Sequence, residues 1–114
     1  MEQFVKVMKA LSDTGRIKII KMLQHKSMCV CEVQKALDIP QPSASRQLKI
    51  LEEAGLVTSH KSGLWVNYML ADGMDSPYAA ILIGGMKHWF QDDPDVVNLV
   101  RTLPEIRRED ICKE

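Results

Sequence analysis

The chain has 114 residues, the size of one ordinary domain, and folding at this size withdraws about two thirds of the unfolded surface from water. Its apolar stretches, such as 79–85, fall far short of the roughly 20 residues a membrane span needs, and no basic segment leads into an apolar one at the N-terminus, so a soluble cytosolic protein with no membrane partner is expected. Net charge is zero, yet residues 1–70 hold ten Lys or Arg against six Asp or Glu, and residues 71–114 hold five against nine. One part carries +4 and the other −4, so a polyanion would be drawn to one face and repelled from another.

Phe4, Val7, Met8 and Leu11 recur at helical spacing and predict a short opening helix. Ser12 or Asp13 offers a cap oxygen for a second helix to about Gln24, with Ile17, Ile20 and Leu23 inward. Val30, Val33, Ala36 and Leu37 make the stripe of a third, stopped by Asp38-Ile39-Pro40. The fourth has clear ends, with Pro42 at its start and Gly55 as a left-handed cap. Its inner stripe is Ala44, Leu48 and Leu51, and its other side carries Gln41, Ser43, Ser45, Arg46, Gln47 and Lys49.

After Gly55 the period changes to two: Val66, Tyr68 and Leu70 alternate with Trp65, Asn67 and Met69, and with 57–61 they predict a β-hairpin turning at 61–64. A fifth helix starts at Pro77, capped by Ser76, and is apolar nearly all round from Tyr78 to Phe90. A chain this short cannot cover such a helix alone, which implies a dimer interface. A last helix, capped by Asp93, runs from Pro94 to Leu103, and Pro104 to Glu114 reads as a frayed tail. The expected fold is mainly α with a small β-hairpin wing, a dimeric winged helix-turn-helix. Residues 1–92 form its DNA-binding and dimerisation domain, and 93–114 a short helix and flexible tail.

These parts fit double-stranded DNA. A helix over Gln41 to Ala54 suits the major groove, where Arg46 offers a bidentate fork to guanine and Gln47 can pair with adenine. Gln41, Ser43, Ser45 and Lys49 share that surface, the serines and Lys49 suited to phosphates, while His60 and Lys61 stand near a hairpin tip that could meet the backbone or minor groove. A lone Arg or Lys is usually a solvated helix face; the combination carries the reading.

Cys29 and Cys31 begin the third helix, and Cys112 is the remaining cysteine. Three cysteines cannot all pair within one chain, and an intracellular Cys-x-Cys is more often a metal or redox site than a structural disulfide. Soft thiolates select soft ions, and a helix N-terminus favours the thiolate. Residues two apart on a regular helix point about 200° apart, so either Cys29 precedes the helix or an ion pulls the first turn open. The alternative use of the pair is as small buried hydrophobes.

The runs 8–16, 41–57 and 63–70 resemble the ArsR/SmtB family of metal-sensing repressors. The resemblance covers about residues 4–90 and implies a homodimer, paired through its first and fifth helices, that represses a resistance operon until an inducer arrives. Cys29-Val30-Cys31-Glu32-Val33 resembles the Cys-Val-Cys-Asp-Leu signature of members that respond to arsenic and antimony. As(III) or Sb(III) is therefore the implied inducer, ahead of Cd(II) or Pb(II), with no cofactor needed for DNA binding. Two departures stand out: Gln47 where the family often has His, and Gln34 where a third cysteine commonly follows. Cys112 then either completes a three-sulfur site, from its own or the partner subunit, or is a free tail thiol. The fifth helix lacks the paired pattern of the zinc sensors, and His25, His60 and His88 are scattered.

Two rival uses remain, a thiol redox or persulfide switch and a winged-helix module that binds protein. An enzyme is not expected, for no nucleophile–base pair, phosphate-cradling glycine loop or paired carboxylates can be found.

Overall fold

The computed structural model describes residues 1–107. Within them the order is α1 (Glu2–Ala10), α2 (Thr14–Leu23), β1 (Met28–Cys29), α3 (Val30–Leu37), α4 (Gln41–Glu53), β2 (Val57–Ser62), β3 (Trp65–Leu70), α5 (Pro77–Met86) and α6 (Pro94–Thr102), followed by a 3-10 turn, Leu103–Glu105. Local chemistry sets most of these boundaries. Asp13 Oδ2 accepts from Arg16 N at 3.1 Å, Ser76 Oγ from Ala79 N at 3.2 Å, and Asp93 Oδ1 from the amides of Asp95 and Val96; each satisfies helix N–H groups that have no partner within the helix. Asp38 closes α3 in the left-handed region at φ 55°, and Gly55 does so after α4 at φ 80°, where glycine carries no Cβ penalty.

The hairpin is present, in register from Val57 opposite Leu70 to Ser62 opposite Trp65. The sheet nevertheless has three strands, in the order β1-β3-β2, because Met28 pairs with Tyr68 and Cys29 with Asn67. Two residues display no periodicity, so the extra strand leaves no trace in the sequence pattern. It fastens the start of α3 to the middle strand of the wing.

The core gathers Val7 and Ala10 from α1, Val33 from α3, Ala44, Leu48 and Leu51 from α4, Leu56, Val57, Ala79, Met86 and Leu103, all around α2. The predicted inner stripe of α4 is fully buried. On α2 the expected set of Ile17, Ile20 and Leu23 is too narrow. Every residue from Ile19 to Leu23 is buried and Ile17 only partly so, since α4, α6 and β3 all contact this helix. Lys21 is included at 2 % exposure. Its Nζ donates to the carbonyls of Met86, at 2.7 Å, and Trp89, at 2.9 Å, and so closes the C-terminal end of α5.

Helix α5 is shorter than its apolar run, ending at Met86 instead of near Phe90. Gly85 leaves room for the Trp89 ring, with which a Cβ there would collide. Only Ala79 and Met86 of this helix are buried. Ile81 stays 71 % exposed, and Phe4, Val5, Met8 and Tyr78 of the α1–α5 side are also open to solvent. Phe4 and Tyr78 meet edge to face with centroids 5.3 Å apart.

The segment expected to fray from Pro104 is held through Ile106. Leu103 is buried, and Lys26 Nζ donates to the carbonyls of Leu103 at 3.3 Å and Ile106 at 2.6 Å. Helix α6 contacts α2 and adds to the same core, so the appended piece packs with residues 1–92. Among the described residues, no helix is long and apolar enough to cross a membrane.

Removing the cap on α5 has a defined cost. Lys21→Ala should lower unfolding free energy by about 2–4 kcal/mol, because two carbonyls lose a charged donor and a buried stem is deleted; urea denaturation at fixed protein concentration measures it. Burial also holds the Lys21 ammonium below its ordinary value of 10.5. The unfolded chain therefore keeps this proton to higher pH than the folded one, and between the lowered value and 10.5 wild-type stability should gain a contribution as pH rises, which the Ala variant lacks.

Candidate functional site

Cys29 stands at the point where β1 becomes α3. Its backbone is extended, at φ −90° and ψ 170°, and it is the N-cap of the helix whose first turn contains Cys31. Of the two geometries open to a Cys-x-Cys pair, the observed one has Cys29 ahead of the helix. The problem of side chains 200° apart is thereby avoided, and the sulfurs approach to 3.4 Å without being bonded to each other, while Cys31 is itself disulfide-bonded. Cys29 is buried and Cys31 half-buried. Cys31 also lines a cleft of about 210 Å³ with Gln34, Lys35, Asp38 and Ile39, so solvent reaches the pair from the Cys31 side.

Glu32 fixes this corner. It is 4 % exposed, its Oε1 accepts from Cys29 N at 2.9 Å, and its Oε2 lies 3.7 Å from Lys26 Nζ. Burying a carboxylate is costly unless it is paired and hydrogen-bonded. Here the amide and the ammonium supply both, and the same Lys26 holds the Ile106 carbonyl. Neither Glu32 nor Lys26 belonged to the expected site. The signal for Glu32 was present: a residue that reaches back to the N-cap amide from three positions on is the spacing of a capping box, with Cys29 where Ser or Thr is usual. Lys26 left none, since its partners lie up to 80 residues away in sequence.

Among the described residues, the sulfur pair is not part of a group of three or more His, Cys, Asp or Glu able to hold a metal. Gln34 lies beside Cys31 in the cleft. Cys112 lies outside the described residues.

The expected DNA-reading residues share helix α4. Gln41, Arg46 and Lys49 are exposed and Ser43, Ser45 and Gln47 half-buried, while Ala44, Leu48 and Leu51 hold the opposite side in the core. His60 and Lys61 are exposed on β2, opposite Asn67 and Val66. Gln47 differs from a free reader of bases, because its Oε1 accepts from Arg16 Nη1 at 2.8 Å. The amide that adenine pairing would use already has a protein partner. Sequence reasoning missed Arg16, which stands 31 positions away in the first turn of α2.

Helices α3 and α4 with the left-handed turn at Asp38 form the helix-turn-helix, and the sheet forms the wing. Residues 13–59 match the model of the arsR family of bacterial regulatory proteins. The arsenical resistance operon repressor of Escherichia coli K12 is 35% identical over 100 residues, covering 87% of this chain and 83% of that one. The repressor SmtB of Mycobacterium tuberculosis is 46% identical over 66 residues, or 58% of this chain and 49% of that one. Among solved structures, the transcriptional repressor BigR from Xylella fastidiosa superposes with a TM-score of 0.66 at 26% identity, over 79% of this chain and 85% of that one. The site, the fold and these likenesses agree: the chain belongs to the arsR family of winged helix-turn-helix transcriptional repressors, and is a DNA-binding regulator and not an enzyme.

Proposed function

We propose that the protein is a cytoplasmic homodimeric repressor that leaves its operator when a soft metalloid is captured by Cys29 and Cys31, with As(III) or Sb(III) ahead of Cd(II) or Pb(II). The observation that carries this reading is the sulfur pair at the head of α3, 3.4 Å apart, which becomes a thiolate pair once the disulfide of Cys31 is reduced. With a metal–thiolate length of about 2.3 Å, two sulfurs at that separation subtend about 95°. That suits a pyramidal three-coordinate ion with a lone pair better than a tetrahedral one, and thiolates favour soft ions.

A third ligand is required, and Cys112 is the remaining cysteine. The carbonyl of Ile106 lies on Lys26, whose Nζ is 3.7 Å from the Glu32 carboxylate that holds Cys29 N. Six residues of chain can span up to about 20 Å, a reach that allows Cys112 to contribute from its own subunit as well as from the partner. Twofold symmetry then makes two equivalent sites per dimer.

Cys29 belongs to a strand paired with the wing and caps the helix that precedes the reading helix. An ion drawing Cys31 and Cys29 onto itself alters the first turn of α3, and the change passes to α4, which α3 packs against. Coupling of 1–3 kcal/mol between ion and operator would change affinity roughly 5- to 150-fold.

At the operator, Arg46 reads a guanine, Ser43, Ser45 and Lys49 hold phosphates beside Gln41, and His60 and Lys61 bring the wing to the backbone or minor groove. Arg46→Ala should lose about 1–3 kcal/mol and relax preference at one base pair, whereas Lys49→Ala should weaken all sequences alike and reduce the salt slope by about 1; anisotropy titrations at several salt concentrations separate the two. The open apolar face of α1 and α5 is the dimer surface of this reading. A charge at its most exposed residue, Ile81→Glu, should yield monomers by sedimentation velocity while leaving the helical content unchanged.

The deciding experiment is fluorescence anisotropy of the reduced protein on DNA from upstream of its own gene, titrated with arsenite. Arsenite should release wild type but neither Cys29→Ser nor Cys31→Ser, and Cys112→Ser should weaken the response. Release by an oxidant and not by arsenite would replace the metalloid reading with a thiol redox or persulfide switch. Absence of DNA binding even at low salt would favour a protein partner.

A further inference from the structure

Arg16 lies in the first turn of α2, outside the helix that faces DNA, and its guanidinium is held at three points. Nε donates to Ala10 O at 2.6 Å, Nη2 to Lys9 O at 3.2 Å, and Nη1 to Gln47 Oε1 at 2.8 Å. The first two contacts use the carbonyls that end α1, so the fork is anchored independently of Gln47. The chemistry of the third contact settles an orientation. A guanidinium has donors only, so the amide oxygen of Gln47 must face it; turned by 180°, the amide would oppose N–H to N–H. Gly15 lies beside the amide: a Cβ there would make ordinary contact with Gln47 Nε2 at 3.7 Å and would crowd Asp13 Oδ2 at 3.1 Å.

A glutamine free to turn offers oxygen and nitrogen to a base edge in either order and tolerates more than one base. One whose oxygen is fixed presents a single polarity. We propose that Arg16 is a specificity-determining residue of this repressor: it acts through Gln47, holding the amide in one orientation so that the side chain discriminates at one base pair. It is a positioning residue, and the proposal rests on the reading of α4 as the helix that enters the major groove.

The test starts by selecting preferred sites from a random duplex library with the wild-type protein. Affinities are then measured for every single-base change of the selected half-site with wild type, Gln47→Ala, Arg16→Lys, Arg16→Ala and the Arg16→Lys, Gln47→Ala double variant. The base pair at which Gln47→Ala flattens the preference is the one Gln47 reads. Wild type should discriminate there by roughly five- to tenfold. Arg16→Lys, which keeps the charge but lacks the fork, should reduce this to about twofold at that pair only, leave the pair read by Arg46 unchanged, and add nothing in the double variant. Thermal midpoints identify any loss of fold from Arg16→Ala, which also uncaps α1. Equal weakening of every sequence by the Arg16 variants would make the residue a helix cap alone and overturn the proposal, as would a Gln47→Ala variant that flattens no pair. Failure to enrich any sequence would instead overturn the DNA-reading assignment of α4 beneath it.

Discussion

The corner at Cys29 is the constraint on which the rest of this molecule turns. One residue there does two jobs: its backbone pairs with Asn67 in the middle strand of the wing, and the same residue is the N-cap of α3. The first turn of α3 therefore cannot move without straining the wing on one side and the turn into α4 on the other. A buried carboxylate closes the corner from beneath, tied to the Cys29 amide and to Lys26. Burying such a carboxylate is costly unless it is paired and hydrogen-bonded, so its two partners hold the corner in place.

Beneath the corner, α2 acts as the axle. It is buried over five consecutive residues, and from it Arg16 reaches the recognition helix at one end while Lys21 closes α5 at the other. Three long side chains, Arg16, Lys21 and Lys26, all spend their charge on backbone carbonyls at the ends of other elements. Carbonyls at helix ends carry partial negative charge and lack partners within their helix, so each cation meets a need that the chain itself creates. Of the ten basic residues in the first 70, Arg46, Lys49 and Lys61 stand exposed on α4 and β2, while Arg16, Lys21 and Lys26 hold the fold together. The excess positive charge of that part of the chain overstates the charge available to DNA.

The same division bears on how a signal could travel. Helix α3 packs against α4, with Val33 and Leu48 both in the core, and the left-handed turn at Asp38 joins the two. Packed cores pass on displacement instead of absorbing it, so in the proposed mechanism a change at the head of α3 would reach α4. Arg16 also holds α4, through Gln47.

What the sequence determined by itself was whatever depends on neighbours in the chain. Periodicity marked the inner stripe of α4, cap oxygens at Asp13, Ser76 and Asp93 marked helix starts, Gly55 marked a helix end, and the alternation over 65–70 marked the hairpin. The Cys-x-Cys spacing and the polar face of α4 were equally plain, since each is a pattern within a few residues. Tertiary structure decided the rest, because the partners lie far apart along the chain. It supplied the strand at Met28–Cys29, which exists only by pairing with β3, the burial of Lys21 beneath α5, the seating of Ile106 on Lys26, and the capture of Gln47 by Arg16. Even the geometry of the two cysteines belongs to this second group. Spacing allowed them either to point apart on a helix or to meet at its head, and the pairing of β1 with β3 is what brings the sulfurs together.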